Sequence, residues 1–269
     1  MPRHSGSVVF VTGASRGIGR LIAAALAADG ATVVGFARSA QDLESLAAEE
    51  HAGRVLTYSL DVTRPEEVRT VVAQAVTDAG APALLVTCAG SADGLGPVAS
   101  VDPDRWWQAI EVDLRGTMLC AQAVLPTMLA AGAGRIATVY GNLGDDGREH
   151  LTAFASAKAG LARFTETLAT ELEGTGVTAV CIHPGFVQTP MTEDLASSEA
   201  GQQWLPGFGA RAREHWGDGA PAIAFIKRLH AGDADGLSGR VIHVDDDLAA
   251  LTAQCAEERN YRRLRVNGL

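Results

Sequence analysis

Two short stretches of this 269-residue sequence place chemistry-bearing side chains at telling spacings. In TGASRGIG, residues 12–19, Gly13, Gly17 and Gly19 follow an apolar, β-branched run and open a segment of helical period, with Ser15, Arg16 and Ile18 filling the turn. Glycines so placed let the backbone turn tightly and approach a pyrophosphate, and they start a helix whose N-terminus faces the phosphate charge. The spacing is GxxxGxG rather than the GxGxxG of the general dinucleotide fingerprint, so its position on the first strand-helix unit carries the signal. In TAFASAKAG, residues 152–160, Lys158 stands four residues after Phe154. One helical turn therefore brings an ammonium beside an aromatic ring that has no hydroxyl.

A third group lies at the end of the second apolar run, VVGFARS, where a dinucleotide would place its adenosine ribose. An acidic residue there accepts from a ribose 2′-hydroxyl, whereas arginine holds a 2′-phosphate. The run ends in Arg38 with no acid, and Arg16 lies in the glycine turn. Two guanidinium groups at that corner suit a phosphate, so NADP(H) is expected over NAD(H), against the simpler reading that both arginines are solvated.

The elements that must position these residues alternate along the chain. Short β-branched runs (7–12, 31–37, 54–60, 82–90, 134–140, 176–185, 239–245) are separated by helical segments at 17–29, 41–50, 65–79, 103–130 and 153–173. This alternation predicts one doubly wound α/β domain of Rossmann type over 1–269, its mostly parallel sheet covered by helices on both faces. Residues 191–220 break the pattern, mixing glycine and proline with Trp204, Phe208 and Trp216, and are expected to form a substrate loop or lid, with ordinary surface packing as the alternative. The extension 246–269 starts acidic and ends basic, as a helix complementing its own dipole would, and is expected to dock on this domain or on a neighbouring subunit.

Composition narrows the function classes. A net charge of -10 argues against nucleic acid or an anionic membrane as partner. Cys88, Cys120, Cys181 and Cys255 lie far apart in apolar runs, without metal-site spacing, and read as buried thiols in a reducing compartment. With no leader-like start in MPRHSGSVVFVTG and no apolar run of spanning length, a cytoplasmic protein is expected.

TGASRGIG at 12–19, LDV at 60–62, Ala89-Gly90, ASAKAG around Lys158 and HPGFVQTPM at 183–191 occur in the order of one known family. By these motifs the sequence resembles the short-chain dehydrogenase/reductase family over almost its whole length. The resemblance implies that Asp61 and Val62 border the adenine and that Ala89 and Gly90 pass near the ribose. It also implies that Pro184, Gly185, Val187 and Thr189 flank the nicotinamide carboxamide, and that Lys158 bonds the nicotinamide ribose. A homodimer or homotetramer is implied as well, with helices 103–130 and 153–173 between subunits. Where the family writes NNAG and DGG, this chain has Thr87-Cys88-Ala89-Gly90 and Asp245-Asp246-Asp247, and the second change excludes a glycine conformation for that loop.

In the family a tyrosine donates the proton to a reduced carbonyl, a lysine lowers its pKa, a serine orients the oxygen and an asparagine holds a relay water. Matched by motif, these positions are Phe154, Lys158, Gly141 and Asp113, so only the lysine remains. Tyr140 is a candidate substitute acid, set against a packing role, and Asn142, His150 and Thr152 are loop residues near the pocket. Asp113 either pairs with Lys158 or faces a cationic substrate. A positioned acid contributes about 10²- to 10⁴-fold, and its loss makes ordinary ketone reduction by the usual relay unexpected. The sequence therefore points to an NADP(H)-dependent reductase of a substrate that needs no phenolic donor, such as an iminium or activated alkene. A cyclase or isomerase walled by the cofactor, and a non-catalytic NADP(H) sensor, are the alternatives. The substrate is expected to be a small apolar or aromatic molecule.

Overall fold

The computed structural model describes residues 6–141 and 147–258. Seven β-branched runs form a single parallel sheet, β1 (Val8–Thr12), β2 (Thr32–Ala37), β3 (Val55–Ser59), β4 (Leu84–Thr87), β5 (Gly134–Val139), β6 (Val177–His183) and β7 (Val241–His243), in the order β3-β2-β1-β4-β5-β6-β7. Strands buried on both faces need apolar side chains at odd and even positions alike, and Val9, Phe10 and Val11 of β1 are all fully buried. Parallel strands also need crossovers, supplied here by helices.

Those helices divide between the faces. One face holds α1 (Gly17–Ala28), α2 (Ala40–Ala47), α10 (Ala220–Ala231) and α11 (Leu248–Glu257), through Ile22, Leu43, Phe225 and Leu251 respectively. The other holds α3 (Pro65–Ala79), α5 (Gly116–Ala131) and α6 (Thr152–Glu171), through Val72, Val124 and Leu168. Strand order reverses between β1 and β4, and in such sheets a crevice opens at that switch point beyond the strand C-termini.

Two departures from expectation bear on the site. The helix expected over 103–130 is two helices, α4 (Pro103–Ile110) and α5, joined by a π-helical turn, Glu111–Arg115. Residues 191–220 are not a loop but contain α7 (Pro190–Ser197), α8 (Glu199–Trp204) and α9 (Phe208–His215). Thr189 and Thr192 form a reciprocal capping box at the start of α7, and Ser198 caps α8 by accepting from the Gly201 N–H, so local capping offsets the poor helical composition. Of the C-terminal extension, α11 docks on this domain through Leu248, Leu251 and Cys255, and the basic end lies outside the described residues, as does Asn142. The acidic loop before α11 uses its carboxylates locally: Asp246 accepts from the His243 N–H, and Asp247 caps α11. No described helix is long and apolar enough to cross a membrane.

Candidate active site

A cleft of about 1540 Å³ opens at the switch point. All sixteen residues expected to touch a dinucleotide line it: Gly13, Ser15, Arg16, Gly17, Ile18, Gly19, Arg38, Asp61, Val62, Ala89, Gly90, Lys158, Pro184, Gly185, Val187 and Thr189. Several elements bring them together. Thr12, at the end of β1, accepts from the Cys88 and Ala89 N–H groups through its Oγ1, each at 3.1 Å, and so ties the glycine turn to the end of β4.

The turn admits no side chain at its two tightest points. Gly13 has φ +67°, and a Cβ there would lie 2.9 Å from the Ala89 nitrogen; a Cβ on Gly19 would lie 2.4 Å from the Gly13 carbonyl oxygen. Arg16 precedes α1 without capping it by its side chain, so the first amides of a twelve-residue helix are left for another acceptor. A glycine turn packed this closely, leading into an uncapped helix start, fits a pyrophosphate.

At the adenosine corner, Asp61 accepts from the Thr63 N–H at 3.0 Å and from its hydroxyl at 2.7 Å. Burial pushes the Asp61 pKa up, but the Thr63 bonds with Arg38 and Arg64 outweigh it and hold the carboxyl below its usual range. Arg16 and Arg38 make no side-chain hydrogen bond or salt bridge among the described residues, although the Arg38 charge is felt at Asp61 and Asp93.

The far end of the cleft carries the departures seen in the sequence. α6 presents Phe154 and Lys158 one turn apart, with the Lys158 Nζ 5.3 Å from the ring centroid. Gly141 stands just beyond β5, opposite that ring: a Cβ on it would lie 3.5 Å and 3.6 Å from Phe154 Cε1 and Cζ. Lys158 donates to the Val139 carbonyl at 3.1 Å and to Asp113 Oδ1 at 3.4 Å.

Asp113 does not face the cleft. It is 1% exposed, absent from the cleft wall, and set behind Lys158 by the π-helical turn. Its Oδ1 also accepts from the Ser91 N–H at 3.1 Å, whereas its Oδ2 has no partner. Gly90 makes room for it, since a Cβ there would come 2.8 Å from Oδ1. Burial pushes the Asp113 pKa up, opposed by the Lys158 charge and the Ser91 N–H. Of its two expected roles, the geometry gives the ion pair with Lys158, and a carboxylate turned to a cationic substrate is not what the fold builds.

Tyr140 lines the cleft but is 2% exposed, in a small cluster with Ala162, Cys181 and Val241. This is the packing environment weighed against its role as an acid. Cys88 also lines the cleft, and burial pushes its thiol up to about 12 despite the Lys158 charge, so it stays protonated and unreactive near neutral pH.

The helical segment beyond Thr189 covers the cleft. Phe208 lines it and packs against Phe186 with ring centroids 5.9 Å apart, while Trp204 and Trp216 are not on its wall. Trp204 instead meets the His150 ring at 5.0 Å. His150 is the sole described non-glycine residue with positive φ, +66°, and its carbonyl accepts from the Gly96 N–H. The sequence reading missed two cleft features. His183 and His243 end β6 and β7 with their rings stacked 4.4 Å apart, and Asp93 is held by the Ser91 hydroxyl and Arg105. Each histidine closes a β-branched run, which was the available signal; the pairing across strands has none.

A parallel sheet with this order, a glycine turn at its switch point and an ammonium on the helix after β5 define a dinucleotide-binding oxidoreductase fold. The short chain dehydrogenase family matches residues 7–200, and the chain belongs to it, a family that uses nicotinamide cofactors. It is 36% identical over 248 residues to the short-chain reductase protein NovJ of Streptomyces niveus, covering 89% of this chain and 92% of that one. An actinorhodin polyketide ketoreductase variant solved with NADPH superposes with a TM-score of 0.80 at 27% identity, over 90% of this chain and 97% of that one. The fold is also shared with NAD+-bound xylitol dehydrogenase, at TM-score 0.80 and 23% identity, over 89% and 97% of the two chains.

Proposed function

We propose that this protein is an NADP(H)-dependent oxidoreductase of non-standard mechanism, reducing a small molecule that needs no phenolic proton donor. The observation that carries the reading is the facing of Phe154 and Gly141 beside Lys158, which leaves the ammonium as the polar group of that quartet on the cleft wall. The usual donor and the usual orienting hydroxyl are both missing at positions that the fold brings together.

A reduced nicotinamide supplies a hydride. When the hydride adds to an iminium carbon, the C=N π pair moves to nitrogen and a neutral amine results without any proton. An alkene conjugated to a carbonyl gives an enolate that water can protonate after the hydride step. A ketone gives an alkoxide, which needs stabilisation as it forms. Iminium and activated alkene are therefore the substrate classes that fit, and the charge of an iminium is not matched by Asp113, which lies behind Lys158.

NADP(H) is preferred over NAD(H) because Arg16 and Arg38 line the adenosine corner with guanidinium groups that no described residue pairs. The apolar character proposed for the substrate rests on Phe154, Phe186, Met191, Leu195 and Phe208, which share the cleft wall. A cytoplasmic homodimer or homotetramer, with α7 to α9 acting as a lid, completes the proposal.

Stereospecifically deuterated NADPH, offered with cyclic iminium and conjugated enone substrates, tests it. Deuterium in the product is expected. Turnover without label transfer would replace the reading by a cyclase or isomerase that keeps the cofactor as a wall, and tight NADPH binding with no turnover would replace it by a sensor.

A further inference from the structure

Asp113 occupies the relay position yet lies behind the lysine. Carboxylate and ammonium are 3.4 Å apart with side chains 0% and 8% exposed, so water screens the pair little. The local bonds at Oδ1 fit an ionised carboxyl, since it takes the Ser91 N–H and the Lys158 Nζ, while Oδ2 makes no hydrogen bond. The structure is built to hold this group, because the π-helical turn aims it at Lys158 and the missing Cβ of Gly90 gives it room.

We infer that the Asp113 carboxylate cancels the Lys158 charge beside the nicotinamide site and thereby sets its redox-state preference toward the oxidised cofactor. The inference rests on the nicotinamide-binding reading above. An oxidised nicotinamide ring carries one positive charge and a reduced ring none, so an uncompensated ammonium next to the ring disfavours the oxidised form. A carboxylate paired with that ammonium removes the penalty. It also favours the positive charge that develops on the ring as hydride leaves, which is where a site without a proton donor gains most. Asp113 is thus a positioning residue acting through Lys158 and through its field, and not by touching substrate.

The test compares the unmodified protein with Asp113→Asn, which removes the charge and keeps the shape. Dissociation constants for NADP+ and NADPH are measured separately, by protein fluorescence and by nicotinamide fluorescence, without substrate. One unit charge at roughly 8–12 Å in an effective dielectric of about 20 predicts that the variant loses affinity for NADP+ relative to NADPH by about 10- to 30-fold. A merely structural role would weaken both forms alike, and an unchanged ratio overturns the inference. Asp113→Ser supplies the same loss of charge if the asparagine variant does not fold. Failure of the unmodified protein to bind either cofactor form would instead sink the nicotinamide-binding reading itself.

Discussion

On the proposed mechanism, placing hydroxyls at positions 154 and 141 should give the protein a gain in ketone reductase activity. In Phe154→Tyr with Gly141→Ser, the new side chains meet at one point in the cleft. A Cβ on Gly141 would stand at ordinary van der Waals distance from the Phe154 ring, 3.6 Å from Cζ, so serine enters without displacing the backbone. The tyrosine hydroxyl would grow from that same Cζ, on a ring whose centroid is 5.3 Å from the Lys158 Nζ. The phenol would therefore have both a serine hydroxyl and an ammonium within its surroundings. A positioned general acid is worth about 10²- to 10⁴-fold, or about 2.7 to 5.5 kcal/mol of barrier at 1.36 kcal/mol per decade. The assay is NADPH oxidation with a panel of cyclic and aromatic ketones, with NADPH affinity measured in parallel. The expected outcome is a gain of at least a hundredfold in kcat/KM over the unmodified protein for one or more ketones. If the double variant folds and binds NADPH normally but reduces no ketone faster, the divergence of this site lies beyond its missing hydroxyls.

Three other outcomes are expected. Arg38→Ala should weaken NADPH by about 10- to 150-fold, on 1.5–3 kcal/mol for a hydrogen bond to a charged group, and leave NADH unchanged; equal losses for both would remove the 2′-phosphate contact. Trp204→Ala should expose residues 190–216 to limited proteolysis several-fold faster while shifting Tm by only a few degrees, because it removes an aromatic pair worth about 0.5–1.5 kcal/mol; unchanged cleavage would mean that the Trp204 contact with His150 does not hold the segment. The preference for NADP+ over NADPH should fall as pH drops. Burial raises the Asp113 pKa, so the carboxylate takes up its proton above the ordinary carboxylate range and leaves the Lys158 charge uncompensated. Of the other groups facing the pair, Asp93, after β4, is held below its usual range and Cys88 is pushed up to about 12, so neither titrates in that window. Asp113→Asn should show no such pH dependence there, and a flat ratio in the unmodified protein would refute the assignment.

The parts of the fold that were legible are those encoded by local pattern. A buried parallel strand must be apolar on both faces, so runs such as VVFVT announce themselves, and a glycine turn between such a run and a helix states its purpose in three residues. The segment after Thr189 was not legible as helix, because helices of six to eight residues are too short to show a period and their glycine and proline content imitates a loop. Only its caps, Thr189 with Thr192 and Ser198, carried a signal. The π-helical turn at Glu111–Arg115, which carries the buried Asp113, has no compositional mark.

The placement of that carboxylate separates the two readings of Asp113. Motif order placed it with Lys158, Phe154 and Gly141, but order along a chain does not say whether a side chain enters a cleft or lies behind its wall. The direction depends on Gly90, twenty-three residues earlier, whose absent Cβ leaves the space that the carboxylate occupies, and on the Ser91 N–H that holds it there. Neither contact can be read from local pattern, since both are made across elements. A Gly90→Ala substitution would put a methyl carbon 2.8 Å from Asp113 Oδ1, so the carboxylate and the lysine it holds would have to move together. The glycine-lined end of β4 and the Asp113–Lys158 pair are in this way one packed unit.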